Sequence, residues 1–419
     1  MWGSLMVRGS LKQNTIMLYL LTGSNYIIGF LSIPYLTRVL GAETYGMIGF
    51  ATAYYAYVQL VLDFGFLLSA TASVAKCMGD KERIGRILSS VTICKIGLLL
   101  FVAAITCILC MTVGAFSRDP LLFFLYLGYA AANTFLPDFV YRGLENMKPI
   151  TVRTVLIKAF FLLCIFLFVK DSSQYRLVPV FYIIGSSVAV VAAYVHLKQS
   201  MGITLRACGI KDVVESGKSS IQYFLSRIAS TVFQSLNVIV LGVVFPGSIV
   251  LGWYTACNNC VSAGRSLASP ISDSMFPYMV RTKNYALLNK VLIVGLTGFL
   301  AISVIAFLLA EPICVVVFGP EYSQASGILR WMLPLIPISL ASYLLGFPAL
   351  VPLGKERVAN YSIFAGAAVQ LFVLAVLFLT DSFSVYSLCA GTLISEMVVI
   401  FVRLYVYTAA LRVNIRRSN

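Results

Sequence analysis

The sequence predicts an all-α polytopic membrane protein with about twelve transmembrane helices. Three observations carry that expectation. Hydrophobic residues make up 60% of the 419-residue chain and charged residues only 11%, with a mean hydropathy of +0.92. Soluble domains hold roughly 45–50% and about 25%. The apolar residues fall in continuous runs of about twenty or more, not in ~10-residue stretches of alternating polarity, which excludes a transmembrane β-barrel. Lysine and arginine gather in every second loop, as the positive-inside rule requires. The net charge of +15 therefore reports topology, and no nucleic-acid partner is expected.

The chain is organised around PYLTRVLGAETYGMIGFATAYYAYVQLVLDFG, residues 34–65. It finishes a first span, residues 15–36, makes a polar turn over 37–46 with Arg38 and Glu43, and enters a second span, 47–75. The opening segment carries Arg8 and Lys12 and has no small-residue cleavage site after a short apolar core, so the first span is read as retained. A strongly basic loop, KCMGDKERIGR, follows at 76–86. Spans three to six are expected at 89–113, 121–143, 151–169 and 177–197. The longest polar segment, 198–220, lies at the midpoint and divides the chain. The expected domains are a six-helix bundle at 1–200, a cytoplasmic linker at 201–220 and a second six-helix bundle at 221–419. Spans seven to twelve fall at 221–245, 250–276, 287–309, 328–353, 361–380 and 383–411. Alternate counting then puts both termini in the cytoplasm and leaves only Arg38, Arg118, Lys170 and Arg176 in loops on the other side. LGAETYGMIGFATA and LGWYTACNN echo one another, each opening the second helix of its half, as in transporters built from parallel repeats. Prolines 34, 137, 270, 334, 337 and 348 inside spans mark kinks or broken helices.

Charges inside the spans point to function. A charged side chain at mid-bilayer costs roughly 2.5–3.5 kcal/mol on insertion scales, so each one needs a reason. Lys95, Lys158 and Arg227 sit about seven residues in from the basic side, roughly 10 Å deep at 1.5 Å per residue, and Arg265 reaches at least that depth. Four cations at one depth suggest a ring in the cytoplasmic half of a central cavity; the alternative is snorkelling to the interface. The embedded acids Asp63, Asp138 and Glu396 are candidates for ion coupling or for plain structural pairing, with Asp273 near a span end. A cationic, acid-poor cavity suits an anionic head group, and a pyrophosphate is the obvious one.

Most of the ten cysteines lie in apolar runs. Cys107-x-x-Cys110 and Cys257-x-x-Cys260 copy a redox spacing without a second ligand pair, so they read as packing residues. No metal or other cofactor is expected, and the one histidine, His196, sits at a span end. Tyr26, Tyr54, Tyr55, Tyr57, Trp253 and Tyr254 could face sugar rings or anchor at the interface.

GSNYIIGFLSIPYLTRVLGAETYGMIGF, followed by DFGFLLSATASVAK, resembles the N-terminal signature of Wzx-type O-antigen flippases. These form the polysaccharide transporter branch of the multidrug/oligosaccharidyl-lipid/polysaccharide exporter superfamily. LGWYTACNN, SPISDSMFPYM and FGPEYSQASGILRW extend the resemblance over nearly the whole length. It implies two six-helix bundles around a V-shaped cavity in the bacterial inner membrane. It implies translocation of undecaprenyl-diphosphate-linked repeat units to the periplasmic leaflet, coupled to an ion gradient, within lipopolysaccharide biosynthesis. The substrate would be a lipid-linked oligosaccharide held among membrane lipid, with an O-antigen polymerase and a chain-length regulator as candidate partners. Lumen-facing cations are a family feature, carried here to Lys95, Lys158, Arg227 and Arg265. The alternative is a multidrug or cation exporter of the same superfamily, which calls for acids along the cavity. A membrane enzyme such as a polymerase or glycosyltransferase fits poorly, because no large outside loop and no acid or histidine cluster at a membrane face is available to hold a catalytic site.

Overall fold

A computed structural model describes the backbone from Leu11 to Ser418, and side chains from Leu31 to Arg412 apart from several between 226 and 234. Arg8 and the side chains of Lys12, Tyr26 and the basic tail beyond Arg412 lie outside the described residues. Helices account for nearly all of the described chain, which contains no strand. Among the described residues, nine helical stretches are long and apolar enough to cross a membrane, and shorter apolar helices lie between them. The expected all-α polytopic fold is present.

Leu11–Asp63 runs as a helix except at Gly41, whose φ of 72° and ψ of 170° separate α1 (11–40) from α2 (42–63). Only glycine adopts such a conformation without strain. Phe64 and Gly65, both at positive φ, break the next helix, and α3 resumes at Phe66–Lys76. Asp80 caps α4 (Lys81–Thr112), its carboxylate accepting from the Arg83 N–H at 2.9 Å. Span four is α5 (Pro120–Thr134) and α6 (Asp138–Gly143), broken at Pro137. Helices α7 (Lys148–Phe168) and α8 (Leu177–His196) follow. Residues 202–209 are non-helical, and the Arg206 N–H donates to Ser89 Oγ of α4 at 2.9 Å. Helix α9 (Ile210–Val244) starts inside the segment read as linker. Span eight is α10 (Ile249–Ser266) and α11 (Ser269–Thr282), and α12 is Tyr285–Leu308. Span ten comprises α13 (Ser326–Met332) and α14 (Leu335–Leu345), then a short turn of helix at Phe347–Leu350; α15 (Glu356–Leu379) and α16 (Val385–Ser418) complete the chain. Pro34 and Pro337 lie within unbroken helix, whereas Pro137, Pro334 and Pro348 stand at breaks and Pro270 opens α11.

The chain forms two compact units. One holds the residues up to Leu40, Met47–Thr231 and Gly242–Gly247; the other holds Gly41–Gly46, Val232–Leu241 and Ser248 onward. In the first unit Phe66, Val74, Ile84, Leu88, Val140 and Tyr141 build a core from α3, α4 and α6. In the second, Ala268, Met279, Leu288, Leu344 and Tyr407 do the same for α11, α12, α14 and α16. Large apolar side chains such as Met111, Leu308 and Phe401 point outward, as expected where the surrounding solvent is lipid.

Within the second unit the two echoing motifs touch. A Cβ on Gly46 would stand 2.7 Å from the backbone nitrogen of Gly252, and one on Gly252 would collide with the carbonyl of Ala42. The Ala42 N–H donates to Glu321 Oε2 at 3.1 Å, the Trp253 indole to the Glu321 carbonyl at 3.0 Å, and Asn259 Nδ2 to the Tyr45 hydroxyl at 2.9 Å. Gly252→Ala is expected to cost about 1–3 kcal/mol by overpacking and to lower the melting temperature of the purified protein. Gly298→Ala, where a Cβ meets nothing within 4 Å, should leave the melting temperature unchanged or raise it slightly.

Candidate functional site

The breaks in the helices bring polar groups into the spans. Asp63 ends α2, where a carboxylate opposes the negative end of the helix dipole. Two groups offset this: Gln59 Nε2 donates to Asp63 Oδ1 at 2.8 Å, and Arg227 Nη1 of α9 lies 3.5 Å from Oδ2. Arg227 keeps 41% of its side chain exposed. Asp138 opens α6, where the dipole favours a negative charge, and binds Arg153 Nη2 of α7 at 2.6 Å. The Arg153 Nε and Nη1 are buried with no hydrogen-bond partner among the described residues. Lys95 is 6% exposed. Its ammonium donates to the Thr134 carbonyl at the end of α5 and lies 5.8 Å from the Phe139 ring centroid, with Asp63 and Asp138 near enough to interact with its charge. Lys158 is half-buried on α7 and makes no hydrogen bond or ion pair among the described residues.

The second unit repeats the arrangement with different chemistry. Arg265 lies in the last turn of α10, a position the dipole favours for a cation. Its Nη2 pairs with Glu396 of α16, and its Nε donates to Ser339 Oγ of α14 at 2.6 Å. Glu396 is 4% exposed, so the pair sits in the protein interior at one end and reaches outward through Arg265 at the other.

The sequence reading separated these residues into four cations and three acids. The structure joins Arg227 to Asp63 and Arg265 to Glu396, gives Asp138 the unforeseen partner Arg153, and leaves Lys95 and Lys158 outside the pairs. Asp273 carries a local bond from Ser269 Oγ at 3.1 Å. Tyr54 packs against Phe116 and Phe123 and bonds Thr106 at 2.5 Å, while Tyr55 stacks on Tyr129 at 4.4 Å. Both rings are committed to the first unit's interior. The Tyr254 hydroxyl accepts from Asn237 at 3.0 Å. All ten cysteines are free thiols, and among the described residues no three His, Cys, Asp or Glu side chains lie together as metal ligands.

Two buried polar centres were not anticipated. Arg403 of α16 is enclosed by Ser362 Oγ at 2.8 Å, the Ser342 carbonyl at 2.6 Å, Ser342 Oγ at 3.0 Å and the Ala359 carbonyl at 3.0 Å. It lies seven positions after Glu396 on one helix, two turns along the same face, which is the signal that could have found it. Asn237 donates to Thr392 Oγ1 at 2.7 Å and accepts from Gln370 Nε2 at 2.8 Å, and Ser395 Oγ donates to Gln370 Oε1 at 2.8 Å. This uncharged chain links α9, α15 and α16.

Two curated relatives align over most of the chain. The protein named "Putative O-antigen transporter" from Shigella dysenteriae is 26% identical over 366 residues, 86% of this chain and 91% of that protein. Its namesake from Escherichia coli K12 is 26% identical over 404 residues, 94% and 97% of the two chains. Among solved structures, an inward-facing multidrug resistance MATE family transporter of the MOP superfamily superposes with a TM-score of 0.69 at 14% identity, covering 95% of this chain and 99% of that one. The lipid II flippase MurJ, in an inward closed conformation, superposes at 0.67 and 14% identity, covering 94% and 87%. Those two likenesses concern the fold. Residues 11–283 match the family described as polysaccharide biosynthesis protein; that is well over half of the chain, and the chain belongs to this family of multi-pass membrane proteins.

Proposed function

We propose that the protein is a flippase that carries undecaprenyl-diphosphate-linked O-antigen repeat units from the cytoplasmic to the periplasmic leaflet by alternating access. It would do so in the bacterial inner membrane, with both termini in the cytoplasm. The reading rests first on the family and on full-length relatives named as O-antigen transporters. The observation that carries the mechanism is that each unit holds a span-embedded arginine bonded to an acid: Arg227 with Asp63, and Arg265 with Glu396. A buried ion pair is weak as a source of stability, since replacing both partners by apolar groups is often neutral or better. The presence of an arginine–acid pair in each unit, buried at Glu396 and partly exposed at Arg227, is understandable if the arginines exchange a carboxylate for a diphosphate during transport. Asp63, Glu396 and Asp138 would then take up the coupling cation or proton as their arginines turn to substrate. Lys158 supplies a further cation to the substrate, and Lys95 sets the field around Asp63 and Asp138. A multidrug exporter would need acids free to meet cationic drugs, and here each of the three candidate acids already holds an arginine. The polymerase and the chain-length regulator would receive the flipped unit on the far side.

Arg265→Glu should abolish surface O-antigen, read as loss of the lipopolysaccharide ladder on gels, while the protein still inserts. The double variant Arg265→Gln/Glu396→Gln removes both charges together, so its folding should survive and its loss of the ladder would report transport. A normal ladder in the double variant would overturn the proposed role of the pair. In proteoliposomes, an imposed ion gradient should accelerate translocation by the wild type and leave Asp63→Asn at its basal rate. Overexpression should leave drug resistance unchanged, and a several-fold rise would favour the exporter reading.

A further inference from the structure

The basic loop at 76–86 leads into a cavity that the flippase reading does not use. The cavity lies wholly within the first unit, among α3, α4 and the start of α9, and has a volume of about 550 Å³. Each helix contributes one face at helical spacing: Ser69, Ser73 and Lys76 from α3; Arg83, Arg86 and Ser90 from α4; Asp212, Glu215 and Ser219 from α9. Three cations therefore surround one space, and none of them makes an ion pair or a side-chain hydrogen bond among the described residues. Two acids share the lining and offset part of this charge: Asp212 accepts from the Gly209 N–H at 2.9 Å, fixing the start of α9, and Glu215 makes no ion pair among the described residues. The lining is also hydroxylic: Ser90 and Ser216 are bonded at 2.8 Å, and Ser69 bonds Ser220 behind it at 2.5 Å. Serine hydroxyls can turn from these partners to an incoming oxygen. Arg83 and Arg86 also stand in the first turns of the 32-residue α4, where the helix dipole adds to their attraction for an anion.

We infer that this cavity is a second anion site, which binds a phosphate group through Arg83, Arg86 and Lys76 with the serine hydroxyls beneath it. Planar guanidinium groups match tetrahedral oxyanions in bidentate fashion, and three cations against two carboxylates leave the lining net positive. The basic loop contributes Lys76, Cys77, Arg83 and Arg86 to the lining. The phosphate could belong to an anionic phospholipid or to a diphosphate presented from the aqueous side, and the chemistry of capture is the same.

The test is native mass spectrometry of the purified full-length protein in detergent. One arm titrates phosphatidylglycerol, with zwitterionic, net-neutral phosphatidylcholine as its control; the other titrates inorganic pyrophosphate. At least one of the two anionic probes should bind the wild type about ten-fold more tightly than Arg83→Gln/Arg86→Gln, the loss expected when charge-assisted bonds are removed. Phosphatidylglycerol alone would assign the site to lipid; pyrophosphate binding would assign it to a diphosphate. Arg83→Lys/Arg86→Lys should retain part of the affinity, and Glu215→Gln should tighten binding several-fold by removing a repulsive charge. Thermal melts confirm that each variant is folded. No binding of either probe to the wild type, or equal binding by wild type and a folded glutamine variant, would overturn the inference. Because the readout is binding and not translocation, that result would leave the transport reading standing, and a failure of the transport reading would leave this site standing.

Discussion

Hydrocarbon offers no hydrogen bonds, so a charge or an interrupted helix inside the membrane needs a partner within the chain or a path to water. Much of this structure follows from that constraint. The interruptions at Phe64–Gly65, at Pro137 and between Ser266 and Ser269 each lie beside an embedded charge: Asp63, Asp138 and Arg265. Each of those charges is met by a residue from another helix. Arg403 shows the limiting case, with all three guanidinium nitrogens bonded to serines and carbonyls. A centre so fully satisfied fixes α14, α15 and α16 together. The Arg265–Glu396 and Arg227–Asp63 pairs are less enclosed, and an arginine with an exposed flank can change partners.

The helices were legible because lipid demands length and continuous apolarity, and these are properties of sequence alone. The expected fifth, sixth and ninth spans lie within three residues of α7, α8 and α12 at either end. Most breaks were legible from proline, which lacks an amide hydrogen and clashes with the preceding turn. Pro34 and Pro337 lie within helix that continues past them, since a helix can absorb one proline without ending. The break at Phe64–Gly65 left no comparable mark. A Cβ at Gly65 would meet the Ser220 carbonyl at 2.6 Å and Tyr223 at 2.8 Å, contacts from residues more than 150 positions away that only the fold reveals.

The candidate site divides in the same manner. Charges inside spans stand out because they are rare and expensive, so Asp63, Asp138, Arg227, Arg265 and Glu396 could be picked from the sequence. Their pairing could not, since the partners lie 164 positions apart in one case and 131 in the other. The amide chain of Asn237 and Gln370 was invisible for another reason: uncharged polar side chains barely disturb a hydropathy profile, yet in lipid they order helices through mutual hydrogen bonds. The echo between the two glycine-bearing motifs was read as a sign of internal repetition. In the structure it is also a contact, made possible because Gly46 and Gly252 carry no side chain to hold two backbones apart.

The arginine–acid pairs also bear on how such a chain can change over generations. Losing either member of Arg265–Glu396 strands the other as a bare charge in oil, so drift at one position is penalised until its counterpart drifts too. Neutral paths through these sites therefore run by double replacement, which is slow. A lineage under pressure to change has faster ground elsewhere, on surfaces where a lone change strands nothing. Related chains should accordingly differ far more on those surfaces than in this ionic framework.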